Sequence, residues 1–292
     1  MTTDEPPVVI DWSEHAERLS AAVDDDAAWY AETARHLVEP GDGLAVDVGC
    51  GGAGMAMALS AALPSDASVV GLDGDDEVLA AAQRRVADAQ IDGARVWLIR
   101  ADLDHDLRSL PAVARNADIM WASASIHHAA DQQSAIDALA AHLAPGGRLA
   151  LAEGGLRGRH LPWDLGVGEP GLENRLLGAE DRWFGRMRES LPGTVRMPYG
   201  WTTALRKAGL TEVTTRSTMF EQTAPLAHAE LTKVLDNLAH RVERASESGD
   251  LDADDAAAWA RLLDRDDDVW LGHRDDIHSL SARSVHVGRR AA

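Results

Sequence analysis

The sequence predicts a doubly wound α/β fold, with helices on both faces of a mostly parallel sheet. Between residues 44 and 153, five short apolar runs alternate with stretches whose apolar residues recur at helical spacing. Such alternation is typical of βαβ units, in which a crossover helix covers one face of a parallel sheet. A glycine-rich loop at residues 49–54 follows the first run, at a strand-to-helix junction where this fold binds ligands.

The pattern assigns the elements of this core in order. The predicted strands cover residues 44–48, 68–73, 94–99, 117–123 and 147–153. The predicted helical stretches between them cover residues 55–63, 77–89, 106–114 and 133–143. Because parallel strands end at a common edge, polar residues at these strand ends are the first candidates for a site.

The chain divides into four predicted parts. Residues 1–38 are expected to form an N-terminal helical lid of two helices, separated by the acidic run at 24–26. Residues 39–154 form the core just described. Residues 155–198 lack a clear period and are too long for an idle loop, which indicates a substrate cap. Residues 199–292 contain a helix at 199–210, strands at 211–220 and 282–289, and a helical insertion at 226–268.

Composition narrows the class of partner. There are 48 acidic residues against 28 basic ones, giving a net charge of −20. We therefore expect phosphate backbones and anionic membrane surfaces to be repelled, which disfavours nucleic acid and membrane partners. Because there is a single cysteine, no disulfide framework is expected within the chain. Because no Cys/His cluster has zinc-ligand spacing, no metal site is expected either. With no signal-like segment or long apolar run, a cytoplasmic location is expected.

The glycine loop is compatible with two cofactors. It satisfies the G-x-G-x-x-G pattern of dinucleotide-binding domains, and Asp73 lies about where that pattern places its ribose-binding acid. Asp47, two residues before the first glycine, would repel a pyrophosphate. S-adenosylmethionine (SAM) carries an ammonium and a sulfonium and no phosphate, so the acid favours this cationic cofactor.

These residues resemble the class I SAM-dependent methyltransferases, of the type that acts on small molecules. Residues 46–54 are similar to the first motif of that family, and residues 117–131 and 143–153 to later ones. The resemblance implies a Rossmann-like, seven-stranded sheet whose last strand is antiparallel to the rest. It also implies SAM contacts from a set of residues at the strand ends: Asp47, Gly49, Gly51, Asp73, Gly74, Asp102, Leu103 and Ser123.

Individual roles follow from the resemblance. Asp73 would hold the ribose hydroxyls, Asp102 the adenine amino group, and the Leu103 backbone the adenine ring. Two positions depart from the family pattern. Ala53 occupies the place of the third glycine, and Gly74 stands where a larger residue often covers the adenine.

Methyl transfer requires alignment of the acceptor and often removal of its proton. His127 and His128 follow the fourth strand directly and are the candidate catalytic bases, because an imidazole accepts a proton near neutral pH. Glu153, at the end of the fifth strand, is either another base or a structural acid. Residues of the N-terminal helices and the cap are candidates for a lid over the substrate: Trp12, Trp29, Tyr30, His160 and Trp163.

The sequence thus predicts a SAM-dependent methyltransferase that methylates a small molecule, most simply at oxygen. A homodimer is compatible with the sequence. Two alternatives remain at this stage. The protein could keep the SAM site for another role, as a cyclase or a binding or regulatory protein. It could also be an NAD(P)-dependent oxidoreductase, which the glycine pattern supports and Asp47 opposes.

Overall fold

A computed structural model describes residues 16–90, 93–103 and 105–292, which group into two compact units. We call the first the sheet unit; its described part comprises residues 16–154, 192–216 and 284–292. The second, the helical unit, comprises residues 155–191 and 217–283 in its described part. The three longest strands begin in one unit and end in the other.

Seven strands form one sheet in the order β3-β2-β1-β4-β5-β7-β6. They are β1 (Leu44–Val48), β2 (Ser68–Asp73), β3 (Arg95–Arg100), β4 (Ala117–Ser123), β5 (Leu143–Arg159), β6 (Thr211–Gln222) and β7 (Ser279–Arg289). Strands β1 to β5 pair in parallel with their neighbours. The order reverses between β1 and β4, the kind of switch point at which doubly wound sheets bind ligands. The predicted fold class is confirmed.

Strand β7 runs antiparallel to β5. The backbone N–H of Arg290 donates to the carbonyl of Gly147 near the start of β5, whereas Ala282 lies beside Gly155 further along that strand. Residue numbers therefore fall along β7 as they rise along β5, which is the antiparallel relation predicted for the last strand.

The helices of the sheet unit are α1 (Ala16–Leu37), α2 (Gly54–Ala62), α3 (Asp76–Asp88), α4 (Gln132–Ala141) and α6 (Trp201–Lys207). Predicted helices 55–63, 77–89 and 133–143 correspond to α2, α3 and α4. The stretch at 106–114 is not one helix but two short 3₁₀ turns, Leu107–Ser109 and Ala112–Ala114. Pro111 lies between them and cannot donate a backbone hydrogen bond, which explains the interruption.

The prediction of two N-terminal helices was wrong in its described part, because α1 continues through the acidic run. Asp24 and Asp25 face solvent, whereas Val23 and Trp29 are buried. Aspartate at exposed helical positions costs only a fraction of a kcal/mol, about 0.7 at most. Arg85 of α3 further holds this part of α1: its guanidinium donates to the Ser20 carbonyl at 2.5 Å and to Asp24 at 2.7 Å. Packing therefore outweighs the local signal for a break.

The predicted cap, 155–198, is more regular than its sequence pattern indicates. Strand β5 extends to Arg159, beyond its predicted end at residue 153. Helix α5 (Leu172–Ser190) follows, and with α7 (His228–Glu247) and α8 (Ala253–Leu263) it forms the helical unit. The core of this unit is apolar and includes fully buried side chains on all three helices: Leu176, Leu238 and Trp259. The predicted hairpin at 226–268 corresponds to α7 and α8.

Ala53, the residue before α2, has a left-handed backbone with φ 62° and ψ 22°. Glycine adopts this conformation readily, whereas a Cβ makes it costly by roughly 1–2 kcal/mol. The position where the family pattern has glycine thus keeps the glycine-type conformation with an alanine in it. Its side chain is fully buried.

We predict that Ala53→Gly changes the free energy of unfolding by less than about 0.5 kcal/mol, because relief of the left-handed strain offsets the lost buried methyl group. The matched control is Ala34→Gly, at an equally buried alanine inside α1. It should cost about 1.5–2 kcal/mol, since it combines a lost methyl with poor helix propensity. Urea unfolding measures both. Equal losses in the two variants would contradict the strain at Ala53.

Candidate functional site

The predicted site residues gather where the parallel strands end. In the register of the sheet, Val48 at the end of β1 pairs with Leu72 of β2 and with Ala122 of β4. Ser123, the last residue of β4, pairs with Ala152 of β5 and is half-buried. The residues that follow each strand therefore lie along a common edge of the sheet unit.

Asp47 is almost completely buried beneath this edge, and its Oδ2 accepts a hydrogen bond from the backbone N–H of Ala56 at 2.9 Å. Burial raises the pKa of Asp47 to about 7, helped by the nearby charge of Asp73 and opposed by the Ala56 hydrogen bond. The carboxylate therefore fixes the start of α2 from below. It would affect a bound cation through its electric field more than by direct contact.

Asp73 ties the glycine loop to the end of β2. Its Oδ2 accepts the Gly51 N–H at 2.9 Å and its Oδ1 accepts the Asp75 N–H at 3.2 Å. Burial raises the pKa of Asp73, and these backbone hydrogen bonds partly oppose the rise. Gly51 has φ 49° and open space where a side chain would stand. A ligand can therefore approach the loop backbone closely at this point.

The ends of β2 and β3 leave a gap at Gly74. A Cβ at this glycine would lie 3.7 Å from the Ala101 carbonyl oxygen and 3.9 Å from Oδ2 of Asp102, which is ordinary contact distance. The glycine thus keeps open a space that a larger side chain would occupy. Asp102 is half-exposed. Its Oδ1 accepts a hydrogen bond from the backbone N–H of His105 and lies 2.8 Å from Nδ1 of the same histidine. Leu103 is half-buried against the main apolar core.

Helix α1 covers the other side of the glycine loop. A Cβ on Gly52 would come within 2.8 Å of the Leu19 carbonyl oxygen, and one on Gly54 within 2.7 Å of the Tyr30 ring. Trp29 is buried, with its ring centroid 5.8 Å from that of Trp121 on β4. These contacts make α1 part of the loop's packing. Lid roles for Trp29 and Tyr30 stay predictions, and Trp12 lies outside the described residues.

His127, in the loop after β4, forms a pair with Glu153 of β5. The ring Nδ1 of His127 lies 2.8 Å from Oε2 of Glu153, and Oε1 of the same carboxylate accepts the backbone N–H groups of Ser125 and Ile126 at 3.1 and 2.9 Å. Glu153 is 3% exposed. A carboxylate can only accept, so the geometry favours the His127 tautomer with hydrogen on Nδ1. The lone pair of the neutral ring is then on Nε2.

His128 is oriented differently from its neighbour. Its ring centroid lies 4.1 Å from that of His127, and its backbone N–H donates to the Ser125 carbonyl at 3.0 Å. The loop begins at Ala124, whose φ of 48° is unusual for a residue with a Cβ. Glu153 therefore holds the loop that carries both histidines, and the structure pairs it with His127.

Sequence reasoning missed two residues at this edge. Ser125 is buried, donates its hydroxyl to the Val48 carbonyl at 3.2 Å, and packs where a Cβ on Gly49 would stand. Its place after a strand, two residues before a histidine, was a usable signal. Trp201, at the start of α6, has its indole nitrogen 3.9 Å from the Cβ position of Gly154. No local pattern predicts that contact.

The two cap candidates belong to the helical unit and have different environments. His160 is buried, its backbone N–H donates to Glu173 at 3.0 Å, and burial lowers the pKa of its ring to about 4. Trp163 is 68% exposed. Their predicted contact with an acceptor stays a prediction.

The described parts of the chain contain neither a metal-binding cluster nor a membrane-spanning helix. Across residues 16–90, 93–103 and 105–292, no set of three or more His, Cys, Asp and Glu side chains is arranged to hold a metal ion. In the same ranges, no helix has the length and apolar character needed to cross a membrane.

The sequence matches a family described as a methyltransferase domain over residues 46–149. It is 30% identical over 139 residues to 27-O-demethylrifamycin SV methyltransferase of Amycolatopsis mediterranei, covering 44% of this chain and 48% of that protein. It is also 30% identical over 128 residues to a ubiquinone/menaquinone biosynthesis C-methyltransferase of Syntrophotalea carbinolica, covering 44% and 51%. The chain spans about half the length of each of these relatives.

The fold is also similar to that of the YcgJ protein of Bacillus subtilis, with a TM-score of 0.51 and 16% identity, covering 92% of this chain and all of that one. The family match contains the glycine loop, Asp73, Asp102 and the loop of His127. It supports the methyltransferase interpretation of the glycine pattern over the dinucleotide one. Over residues 46–149, the chain is therefore similar to methyltransferase domains, in agreement with the expected class I SAM-dependent type.

Proposed function

We propose that the protein transfers a methyl group from SAM to a hydroxyl oxygen of a small-molecule acceptor, with His127 as the general base. The observation that carries this proposal is the His127–Glu153 pair at the edge where the glycine loop, Asp73 and Asp102 also lie. Both curated relatives are named for methylation of small molecules, which supports the class of acceptor.

The residues at the edge fit SAM by their chemistry. Gly51 leaves backbone exposed to a ligand, and Gly74 leaves a gap beside Asp102. Asp47 and Asp73 accept hydrogen bonds from backbone N–H groups, and a nearby ligand cation would stabilise their ionised forms. Asp73 would hold the ribose hydroxyls, and Asp102 with the Leu103 backbone would hold the adenine. When bound, SAM supplies a methyl group on a positively charged sulfur.

The base works through its fixed tautomer. Nδ1–H of His127 donates to Glu153, and Nε2 accepts the proton of the acceptor hydroxyl as the oxygen is methylated. Glu153 stabilises the imidazolium that results, because the two form a charge-assisted hydrogen bond. Methylation of a hydroxyl releases one proton, and a positioned imidazole provides for its removal.

The first test is SAM binding measured by calorimetry on the full chain. We expect SAM to bind and NAD not to bind, and we expect Asp73→Asn to weaken SAM binding about 10- to 100-fold, since one hydrogen bond to a charged group contributes about 1.5–3 kcal/mol. Asp137→Asn, at an exposed position of α4, is the control and should leave affinity unchanged. Absence of SAM binding at high micromolar concentration would refute the proposal.

Asp47 predicts a dependence on pH. Its pKa in the folded protein, about 7, lies above the ordinary value of 3.8, so this group stabilises the fold fully below pH about 4 and loses this contribution as pH rises through 7. Between pH 5 and 8, ligand-free protein should lose about 2–3 kcal/mol of unfolding free energy through this group. Asp47→Asn keeps an acceptor for Ala56 and should remove that part of the pH dependence in urea titrations. An unchanged dependence in the variant would contradict the assignment.

His127→Gln should lower kcat by about 10²–10⁴-fold, the usual contribution of a general base, and leave SAM affinity within a factor of about 3. His36→Gln, at the exposed end of α1, controls for loss of a histidine. The assay is S-adenosylhomocysteine formation with a panel of phenols, alcohols, carbon acids and amines. An unchanged rate in His127→Gln excludes it as the base, and a C-methylated product excludes the oxygen assignment.

A further inference from the structure

His286 lies on β7, between β5 and β6 in the sheet, and contacts both of these strands. Its Nε2 is 3.2 Å from the backbone carbonyl oxygen of Glu153 on β5, and its Nδ1 is 2.8 Å from the hydroxyl of Thr215 on β6. All three residues belong to the sheet unit. His286 therefore links the last two strands to the residue that pairs with His127.

The direction of these hydrogen bonds follows from their chemistry. A carbonyl oxygen can only accept, so Nε2 of His286 carries the hydrogen that is donated to Glu153. Nδ1 of the neutral ring then accepts from the Thr215 hydroxyl. Burial lowers the pKa of His286, which agrees with a neutral ring. The result is a directed chain from Thr215 through His286 to Glu153.

The contact falls where the backbone of β5 departs from regular extended geometry. Gly154 and Gly155, directly after Glu153, have φ angles of 75° and 110°. Such angles lie outside the range of a regular strand. Regular strand geometry after residue 153 therefore does not by itself fix the peptide that carries the Glu153 carbonyl. His286 holds that carbonyl at the place where the regular ladder is interrupted.

The side chain of Glu153 has little freedom to compensate for a backbone shift. Its two oxygens hold Ser125, Ile126 and His127 at 2.8–3.1 Å. A displacement of a few tenths of an ångström would lengthen one of these bonds toward the limit of hydrogen-bond geometry. The position of the Glu153 backbone thus determines whether Nδ1 of His127 keeps its acceptor.

We propose that His286, supported by Thr215, is a positioning residue for methyl transfer: it holds the Glu153 backbone so that the carboxylate keeps His127 in its Nδ1–H tautomer. This inference rests on the proposed function for its effect on rate. Its effect on the tautomer does not depend on any acceptor. The role assigns a catalytic contribution to β6 and β7, which lie beyond the strands of the family match.

The experiment compares three variants of the full chain. His286→Leu removes both hydrogen bonds, His286→Gln retains a donor at the position of Nε2, and His286→Asn retains a polar atom only near Nδ1. His142→Leu is the matched control, because His142 also contacts a backbone carbonyl, that of Leu107 at 2.8 Å, but lies before β5 at the opposite edge of the sheet. Long-range ¹H–¹⁵N NMR reports the His127 tautomer, with His127→Gln identifying its signals.

We expect the Nδ1–H form of His127 to dominate in the parent, in His286→Gln and in His142→Leu, and to lose dominance in His286→Leu and His286→Asn. With an acceptor found by the panel above, kcat should fall about 5- to 10-fold in His286→Leu, as for loss of one hydrogen bond, with SAM affinity unchanged. His286→Gln should restore most of the rate.

Three results would overturn the proposal. The first is a folded His286→Leu variant whose His127 tautomer and kcat equal those of the parent, even if its melting temperature is lower. The second, which decides the case if His286→Leu does not fold, is identical behaviour of His286→Gln and His286→Asn. The third is an equal effect of His142→Leu. If the parent shows no methyl transfer, the proposed function fails while the NMR comparison still tests the positioning role.

Discussion

The arrangement of the candidate site depends on one buried carboxylate. Glu153 is held almost without exposure to solvent and accepts from two backbone N–H groups and one imidazole. A buried carboxylate is stable only where hydrogen-bond donors satisfy it. The three donors therefore stabilise Glu153 in its buried position, and Glu153 in turn fixes their positions. The loop after β4, with the unusual backbone of Ala124, is stable because Glu153 binds the two residues that follow it. Glu153 thereby fixes the loop that carries His127 and His128.

Negative charge is concentrated at the same edge. Asp47 lies below the loop and Asp73 at its rim, and the charge of Asp73 adds to the effect of burial in raising the pKa of Asp47. Among the residues that the structure describes, both carboxylates accept hydrogen bonds from backbone N–H groups. A ligand with a positive sulfur and an ammonium would relieve this repulsion.

The sequence was a good guide to the parts of the fold that are decided locally. Strands β1, β2 and β4 have the bounds predicted for them, because their apolar runs are short and end at glycine, aspartate or serine. The acidic run predicted two helices in place of α1. The helix is continuous because contacts with Arg85, far along the chain, outweigh that local signal. Helix α5 was missed because its mixed polar sequence hides its period. Site contacts such as Glu153 to His286 join residues 133 positions apart, and no local pattern encodes them.

The packing of α1 on the glycine loop also determines the direction from which that loop can be reached. Gly52 and Gly54 pack against the Leu19 backbone and the Tyr30 ring, whereas no atom of the described residues lies within 4 Å of the Cβ position of Gly51. One rim of the loop is therefore sealed by protein and the other is accessible. Substitutions at Gly52 or Gly54 would therefore change the stability of the fold, whereas substitutions at Gly51 would change ligand binding. Gly51 and Gly52, which are adjacent in the motif, are therefore constrained by different parts of their surroundings.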